Sequence, residues 1–320
     1  MKKLCRICHQ NTDAADYVVQ EMMFGTGESF DYFQCQQCHC LQISNIPDNL
    51  ADYYANDYYS KENDFASADS SGKQQRIINS LRHYLISGGQ GRVNFKNEEF
   101  DVVTRVKMRQ ESKILDVGCG SGRLPYVLRE AGFENVTGAD PFIENEIEYT
   151  NGLKIYNRHL EDLPVEWRWD FITFHHSFEH IVDQHKTLSE CVKRLEDGGR
   201  IIIRIPVLGF AWRKYGVHWY QLDAPRHLYL HSRQSISSLA GEHGLRIEKL
   251  IFDSNASQFL ISEKYKQGVP LIHQKKGNRL KRLLNKWQKF KYKRLSRKLN
   301  KNSDGDQAVF ILTRSAASQA

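Results

Sequence analysis

The sequence contains no run of 18 apolar residues, so it predicts no membrane-spanning helix. Its first residues, MKK, lead directly to a cysteine and polar residues, without the apolar segment of a secretory signal peptide. A chain without an export signal is expected to stay in the cytoplasm, where thiols remain reduced. Over 320 residues, 40% are hydrophobic and 26% are charged, which is ordinary for a soluble protein with a sizeable core.

Cysteine is scarce, but four of the seven cysteines form two C-x-x-C pairs near the N-terminus: Cys5, Cys8, Cys35 and Cys38. Each pair is followed by histidine, which is the C-x-x-C-H spacing of covalent haem attachment. Such attachment takes place after export, for which the sequence has no signal. Two pairs 26 residues apart also suit a ribbon whose two knuckles hold a structural Zn²⁺. We therefore predict a zinc-ribbon-like segment, in which His9 and His39 stand where knuckles usually carry glycine and Cys40 is a spare thiol.

The stretch KILDVGCGSG, at residues 113–122, carries the strongest chemical signal. An apolar strand ends in an acid and enters a Gly-x-Gly-x-Gly turn, and a helix and a second strand ending at Asp140 follow. Glycines let the backbone approach a nucleotide-like ligand, and an acid at the second strand can accept both ribose hydroxyls. The turn differs from the G-x-G-x-x-G spacing of dinucleotide-binding folds. It resembles the first motif of class I S-adenosylmethionine-dependent methyltransferases.

This resemblance implies an α/β fold, a doubly wound, seven-stranded Rossmann-like methyltransferase sheet. Further segments fit it in order, with WDFITFHHSFEHI as the fourth strand and its tip and QAVFILTRS as the antiparallel last strand. The predicted divisions are the zinc-ribbon-like segment at 1–46, a linker and helical lid at 47–110, and the methyltransferase domain at 111–320, which includes an acceptor loop at 207–235 and a basic helical insertion at 254–306.

The resemblance also implies S-adenosylmethionine as cofactor. RHLEDLP, at residues 158–164, stands where the family contacts adenine, although His159 replaces the usual Asp two positions before Glu161. The alternative for the glycine motif is a tight turn that binds no ligand. The predicted cofactor-binding residues are Asp116, Gly118, Cys119, Gly120, Gly122, Asp140, Pro141, Glu161, Asp162 and His176.

Methyl transfer is an in-line displacement, so the enzyme must align the acceptor and, for a hydroxyl or carbon acid, remove a proton. Glu179 and His180 resemble an E-H pair that follows the fourth strand in methyltransferases of quinone and sugar biosynthesis. In one interpretation Glu179 orients His180, or the pair helps to bind a divalent cation. In the other, the pair starts a helix and packs under the cofactor.

The segment FAWRKYGVHWYQLDAPRHLYLHS, at residues 210–232, combines aromatic and charged residues after the fifth strand, where this fold builds its acceptor pocket. Related enzymes carry a similar D-x-P-R-H stretch. This predicts His227 as the general base, and Arg226, with Trp219 and Asp223, as substrate-binding residues. The alternative is that Asp223 and Arg226 pair to hold the loop and that His227 caps the next helix.

The sequence also narrows the class of methyl acceptor, because one known motif is missing. No N-P-P-Y-like stretch follows the fourth strand, which disfavours methylation of a base nitrogen. We therefore predict a small-molecule, sugar or lipid-linked acceptor. Tyrosines of the linker are expected either near the acceptor pocket or packed against the core: Tyr53, Tyr54, Tyr58 and Tyr59.

Acidic residues are absent between Lys264 and Ser303, whereas 15 Lys or Arg give that segment a charge of +15 and leave −8 for the rest. Its apolar residues recur at helical spacing: Leu280, Leu283, Leu284, Trp287 and Phe290. A basic amphipathic helix over 275–300 predicts peripheral contact with an anionic membrane at its inner face. RNA or the protein's own acidic core would also attract it. Two alternative functions remain. One is an RNA methyltransferase that binds RNA through the ribbon and this basic arm, and the other is a non-catalytic S-adenosylmethionine-binding module.

Overall fold

The computed structural model describes residues 2–54, 72–89, 98–273 and 279–315. Its strands are β1 (Lys2–Leu4), β2 (Asn11–Asp13), β3 (Ala15–Gln20), β4 (Ser29–Gln34), β5 (Leu41–Ile43), β6 (Lys113–Val117), β7 (Asn135–Ala139), β8 (Ile147–Glu148), β9 (Lys154–Tyr156), β10 (Trp169–His175), β11 (Leu195–Pro206), β12 (Tyr229–Leu230), β13 (Leu245–Phe252) and β14 (Gln307–Arg314). Its helices are α1 (Gly72–Ile86), α2 (Glu98–Arg105), α3 (Arg123–Ala131), α4 (Gln184–Arg194), α5 (Phe210–Tyr215), α6 (Arg233–Glu242), α7 (Ser257–Tyr265) and α8 (Arg279–Lys301).

The central sheet has eight strands in the order β13-β14-β11-β10-β6-β7-β9-β8. Strands β9, β7, β6, β10 and β11 run parallel, and β14 lies antiparallel between β11 and β13. The predicted α/β methyltransferase sheet is confirmed. Among the described residues, the sheet has one strand more than predicted, the two-residue edge strand β8, which pairs antiparallel with β9.

Apolar residues fill both faces of this sheet, as expected for parallel strands covered by helices. In β11, Ile201 and Ile203 point to one core cluster and Ile202 points to the other. On the second face α1 packs along α3, and the Arg82 guanidinium donates to the Glu130 carbonyl. The described helices of the predicted lid therefore contribute to the core. Residues 55–71 and 90–97, which include Tyr58 and Tyr59, lie outside the described residues.

The N-terminal segment is built into the rest of the molecule. Strands β3, β4 and β5 form a sheet whose fourth strand is β12, from the predicted acceptor loop. Leu41 of β5 pairs with Leu230 of β12, and both side chains lie in the larger core cluster with Tyr32 and Trp219. The cysteine-rich segment therefore shares one hydrophobic core with the acceptor loop.

The predicted basic helical insertion, residues 254–306, contains α7 and α8 between β13 and β14. Ser296 and Leu299 of α8 are buried, and the Asn300 side chain bonds the backbone of Ser254. Farther along the helix, Trp287 and Phe290 are 64% and 62% exposed. The side chains of Leu280, Leu283 and Leu284 lie outside the described part of the structure. Within the described ranges, no helix combines the length and apolar character needed to cross a membrane.

Candidate active site and metal centre

The structure brings the four predicted zinc ligands together. The Sγ atoms of Cys5, Cys8, Cys35 and Cys38 all lie within 4.8 Å of one another. The Cys5–Cys38 and Cys8–Cys35 Sγ distances are 3.6 and 3.7 Å. A tetrahedral Zn²⁺ with Zn–S bonds of about 2.3 Å requires sulfurs about 3.8 Å apart. The donor set and its spacing therefore fit a structural zinc ion.

Two matching backbone turns hold these thiols. The amide of His9 donates to the carbonyl of Cys5, and the amide of His39 donates to the carbonyl of Cys35. Both histidines adopt left-handed conformations, with φ of 53° and 61°, which explains why glycine is usual there. Cys40 is fully buried beside the cluster and is not one of the four grouped thiols.

The glycine turn has the conformation that its motif predicts. Gly118, Gly120 and Gly122 have φ of 68°, 57° and 86°, which disfavour residues with a side chain. A Cβ atom at Gly118 would lie 2.5 Å from Cβ of Ser177, and one at Gly122 would lie 2.5 Å from Cδ1 of Ile155. The turn thus needs glycine for both backbone conformation and close packing.

Two predicted acids flank this turn. Asp116, within β6, accepts a 2.7 Å hydrogen bond from Thr173 Oγ1. Asp140 follows β7 and accepts hydrogen bonds from the amides of Gly120 at 2.7 Å and Phe142 at 2.8 Å. Both acids belong to the carboxyl ends of strands, where doubly wound sheets bind their ligands. Cys119 lies within the turn, and Pro141 immediately follows Asp140.

The two acids assigned to adenine lie in a short 3₁₀ turn, Leu160–Asp162. The Glu161 carboxylate bonds Lys186 Nζ at 2.7 Å, whereas Asp162 is exposed. Their assignment to the cofactor stays a prediction.

Glu179 follows β10 and is fully buried. Neither carboxylate oxygen has a hydrogen-bond partner within the described part of the chain. Two imidazole nitrogens lie near Oε1, His176 Nδ1 at 3.4 Å and His227 Nε2 at 3.9 Å. Burial favours a raised pKa, but His176, His180 and His227 outweigh it and lower the pKa of Glu179 to about 2. The site therefore holds a buried carboxylate among three imidazoles.

His180 and His227 have the same tautomer. His180 Nδ1 lies 2.8 Å from the Arg226 carbonyl, and His227 Nδ1 lies 2.7 Å from the Gln221 carbonyl. A carbonyl only accepts, so Nδ1 carries the proton and Nε2 keeps its lone pair when each ring is neutral. The ring centroids are 4.8 Å apart. Burial, followed by the charge of His227, lowers the pKa of His180 to about 4.

The side chain of Arg226 is fully buried, and its guanidinium is paired with two carboxylates. Its guanidinium bonds Asp223 at 2.5 Å and Glu21, also fully buried, at 3.2 Å. These contacts favour the alternative in which Asp223 and Arg226 hold the loop. Trp219 is also buried, and its indole N–H donates to Asp306. The alternative role of His227 as the cap of the next helix is wrong, because Ser232 caps α6.

Glu21 was not predicted from the sequence, although an acid directly before the apolar start of MMFGTG is a usable signal. Its carboxylate also accepts hydrogen bonds from four successive amides, those of Met23, Phe24, Gly25 and Thr26. The Tyr32 hydroxyl donates to the carbonyl of His227 at 2.9 Å. The N-terminal sheet thus supports both Arg226 and His227.

The linker tyrosines have two different environments. Tyr54 O–H lies 2.9 Å from His180 Nδ1, so this tyrosine lies beside the histidine cluster. The Tyr53 hydroxyl instead donates to Glu28, and its ring packs edge-on against Phe30.

Comparison with known proteins matches residues 73–250 to the methyltransferase domain family model. An uncharacterized methyltransferase of Staphylococcus carnosus is 27% identical over 35% of this chain and 59% of its own length. The mitochondrial ubiquinone biosynthesis O-methyltransferase of Candida albicans is 31% identical over 28% and 31% of the two chains. Its counterpart from Rickettsia canadensis is 25% identical over 47% and 71%. The chain thus spans less than two thirds of the first two relatives. Because the family model covers more than half of the chain and the sheet and glycine turn agree with it, the protein belongs to the methyltransferase domain family, as its class I motif predicted.

Proposed function

We propose that this protein transfers a methyl group from S-adenosylmethionine to a small-molecule acceptor, of which sugars, quinone precursors and lipid-linked molecules are the favoured classes. The observation that carries the proposal is the location of the glycine turn, Asp140 and the Glu179–His180 pair after strands of one sheet, with His227 grouped beside that pair. The family match and the ubiquinone-related names of two relatives support it.

The glycine turn and Asp140 fit the cofactor. The left-handed glycines allow the backbone of the turn to approach the cofactor closely. The Asp140 carboxylate, which accepts a hydrogen bond from the Gly120 amide, can accept hydrogen bonds from the ribose hydroxyls instead. The cofactor supplies an electrophilic methyl group on a sulfonium. The chain's own residues align the acceptor with that group and remove the acceptor's proton.

We propose that Nε2 of His227 takes the proton that the acceptor loses. Its Nδ1–H is fixed on the Gln221 carbonyl, so Nε2 can accept. The resulting imidazolium would have Glu179 at 3.9 Å and Asp223 at 3.8 Å, and both carboxylates would stabilise it. His180 is the rival base, because its Nε2 is available in the same way. Glu179, His180 and His227 could instead hold a divalent cation, a role that the sequence left open for the Glu179–His180 pair.

We also propose that the four N-terminal cysteines bind one structural zinc ion. Their spacing fits the tetrahedron, and the ribbon they join supports the acceptor loop through β12. The ion's role is to hold the two knuckles, with no part in the transfer step.

Turnover tests the function directly. Release of S-adenosylhomocysteine should depend on an acceptor from pools of nucleotide sugars, quinone precursors or their lipid-linked forms. Methylation of RNA, together with salt-sensitive RNA retention, would favour the nucleic-acid rival. Binding of S-adenosylmethionine without turnover on any pool would favour the non-catalytic module.

Cofactor binding depends on Asp140 in this proposal. Asp140→Ala should weaken the affinity for S-adenosylmethionine by about 1–3 kcal/mol, because the ribose hydroxyls lose a charged acceptor. Titration calorimetry measures this loss. Asp140→Asn is the matched control, since an amide oxygen can still accept from the Gly120 amide and keep the turn. Unchanged affinity in Asp140→Ala would remove the assignment of this residue.

The exposed face of α8 favours an anionic membrane surface as a peripheral partner. Trp287 and Phe290 lie on the side of the helix opposite the buried Ser296, with Lys291 over one ring and Arg294 over the other. Aromatic rings flanked by cations suit the lipid headgroup region, where each basic residue contributes about 1 kcal/mol.

Vesicle binding tests this contact. The protein should bind vesicles containing phosphatidylserine more tightly than vesicles of phosphatidylcholine alone. Trp287→Ala should weaken binding by at least about tenfold, because burying an aromatic ring contributes about 1.5–3 kcal/mol. Val18→Ala removes an equally exposed apolar side chain from β3 and is the control. Equal binding by the parent and Trp287→Ala would exclude this face as the membrane contact. Tighter binding to RNA than to the vesicles would instead favour the RNA methyltransferase.

A further inference from the structure

A second group of side chains that could hold a metal ion lies next to the first knuckle and includes none of the four cysteines. His9 comes from the first knuckle, His185 from the first turn of α4, and Glu242 from the last residue of α6. Their donor atoms all lie within 4.8 Å of one another. Three separate elements therefore deliver two imidazoles and one carboxylate to one point.

The distances within this group suit a shared ion better than direct hydrogen bonds. Glu242 Oε2 lies 3.5 Å from His185 Nδ1 and 3.8 Å from His9 Nε2. Both separations exceed those of ordinary hydrogen bonds. Ligands about 2.0–2.2 Å from a tetrahedral Zn²⁺ lie about 3.3–3.6 Å from one another. Small side-chain adjustments are enough for all three atoms to reach one ion.

His185 has the tautomer that a metal ligand needs at Nδ1. Its Nε2 lies 3.1 Å from the Ile7 carbonyl, which requires a proton on Nε2. Nδ1 then presents its lone pair towards Glu242. A backbone carbonyl bonded to the far nitrogen is the usual support for a metal-binding histidine, because it fixes both tautomer and ring orientation.

A further imidazole adjoins the group. His243 Nε2 lies 3.1 Å from His185 Nδ1, so it either donates to that nitrogen or moves to become a fourth ligand. The His9 and His185 rings are 4.5 Å apart. Two to three imidazoles and one carboxylate suit Zn²⁺ and related transition ions, whereas Mg²⁺ and Ca²⁺ prefer oxygen ligands.

We propose that His9, His185 and Glu242 form a second zinc site, separate from the four-cysteine site, that fastens the first knuckle to α4 and α6. His9 directly follows the ligand Cys8, and α4 begins shortly after the turn that carries Glu179 and His180. An ion here ties the cysteine-rich segment to the side of the sheet that bears the histidine cluster. This proposal concerns metal binding alone and does not depend on the methyl acceptor.

The two knuckles provide a matched pair of variants. His9 and His39 hold equivalent positions and both have left-handed φ, so glycine relieves backbone strain at either position. His9→Gly deletes a ligand of the proposed site. His39→Gly makes the same change in the second knuckle, whose histidine is outside the group.

The experiment is zinc titration, by calorimetry, of protein whose four-cysteine site already holds its ion. The parent and His39→Gly should bind one additional Zn²⁺ that excess Mg²⁺ does not displace. His9→Gly and His185→Ala should bind that ion at least about tenfold more weakly, as expected when a metal site loses a ligand or its support. Saturating Zn²⁺ should raise the melting temperature of the parent more than that of His9→Gly.

Metal analysis before titration separates the two sites. Retention of one zinc by His9→Gly shows that its knuckles are intact, so a weakened second binding event supports the proposal. If the parent binds no additional ion, the proposal is overturned. Equal binding by His9→Gly and the parent also overturns it, because the extra zinc would then be an adventitious ion only. Failure to find the first zinc would instead refute the assignment of the four cysteines.

Discussion

His227→Ala is expected to lower the rate of the chemical step by about 10²–10⁴, the range usual for a positioned base, and to leave S-adenosylmethionine affinity nearly unchanged. The reason is geometric: Nδ1 of His227 is held by the Gln221 carbonyl, and Nε2 faces the buried Glu179. Single-turnover kinetics measure the chemical rate, and calorimetry measures cofactor binding. The parent should show an ascending pH limb that the variant lacks.

His180→Ala is the matched control, because His180 has the same tautomer and lies beside His227. If His180→Ala abolishes turnover and His227→Ala retains it, the base is His180 and the assignment of His227 is wrong. Full activity in both variants would mean that the acceptor is nucleophilic without deprotonation and that alignment supplies the catalysis.

Cys35→Ser is expected to release the knuckle zinc and to unfold the N-terminal sheet. Structural zinc in small domains contributes about 10–16 kcal/mol of binding free energy, and most of it depends on a complete set of ligands. Turnover should be lost as well, because this sheet includes β12 of the acceptor loop and supplies Glu21 to Arg226. Metal analysis, thermal denaturation and hydrogen exchange of residues 2–46 measure the three effects.

Cys40→Ala is the control for that experiment. Cys40 is as buried as Cys35 but is outside the group of four thiols, so its replacement should cost only about 1 kcal/mol through a small cavity. If Cys35→Ser kept its zinc and the parent's melting temperature, the cysteine cluster would not be a structural metal site.

Contacts between the ribbon and the acceptor loop give the zinc site a role beyond the ribbon itself. A structural metal ordinarily holds together a small segment that has little core of its own. In the structure, Tyr32 donates to the carbonyl of His227 and Glu21 completes the ion cluster of Arg226. Breaking a buried ion pair by removing one partner costs about 3–5 kcal/mol, so the ribbon's integrity bears directly on the loop.

Local features were predictable because neighbouring residues determine them. The turn at Gly118–Gly122 needs positive φ, and a strand, a glycine turn and a helix follow one another within a short stretch. The two C-x-x-C pairs likewise encode their own knuckles, whose amides return to Cys5 and Cys35. The family match agrees with what these short motifs indicated.

The roles of charged side chains depend on partners that are distant in sequence. The sequence predicts Arg226 as a substrate-binding residue, and it gives no sign that Glu21, 205 residues earlier, bonds the Arg226 guanidinium. The same holds for Trp219, whose indole bonds Asp306. Residue type and spacing cannot distinguish a binding arginine from a structural one, because the difference lies in which carboxylate folding brings beside it.

By itself, then, the sequence determined the α/β sheet, the glycine turn, the grouping of four cysteines and the charge of the basic arm, because each depends on residue type and short spacing. Only the tertiary structure decided that Glu179 lies among three imidazoles, that the ribbon shares a sheet with the acceptor loop, and that His9 meets His185 and Glu242. The physical reason is that these contacts join segments far apart in the chain, and burial and electrostatic interactions depend on distance in space.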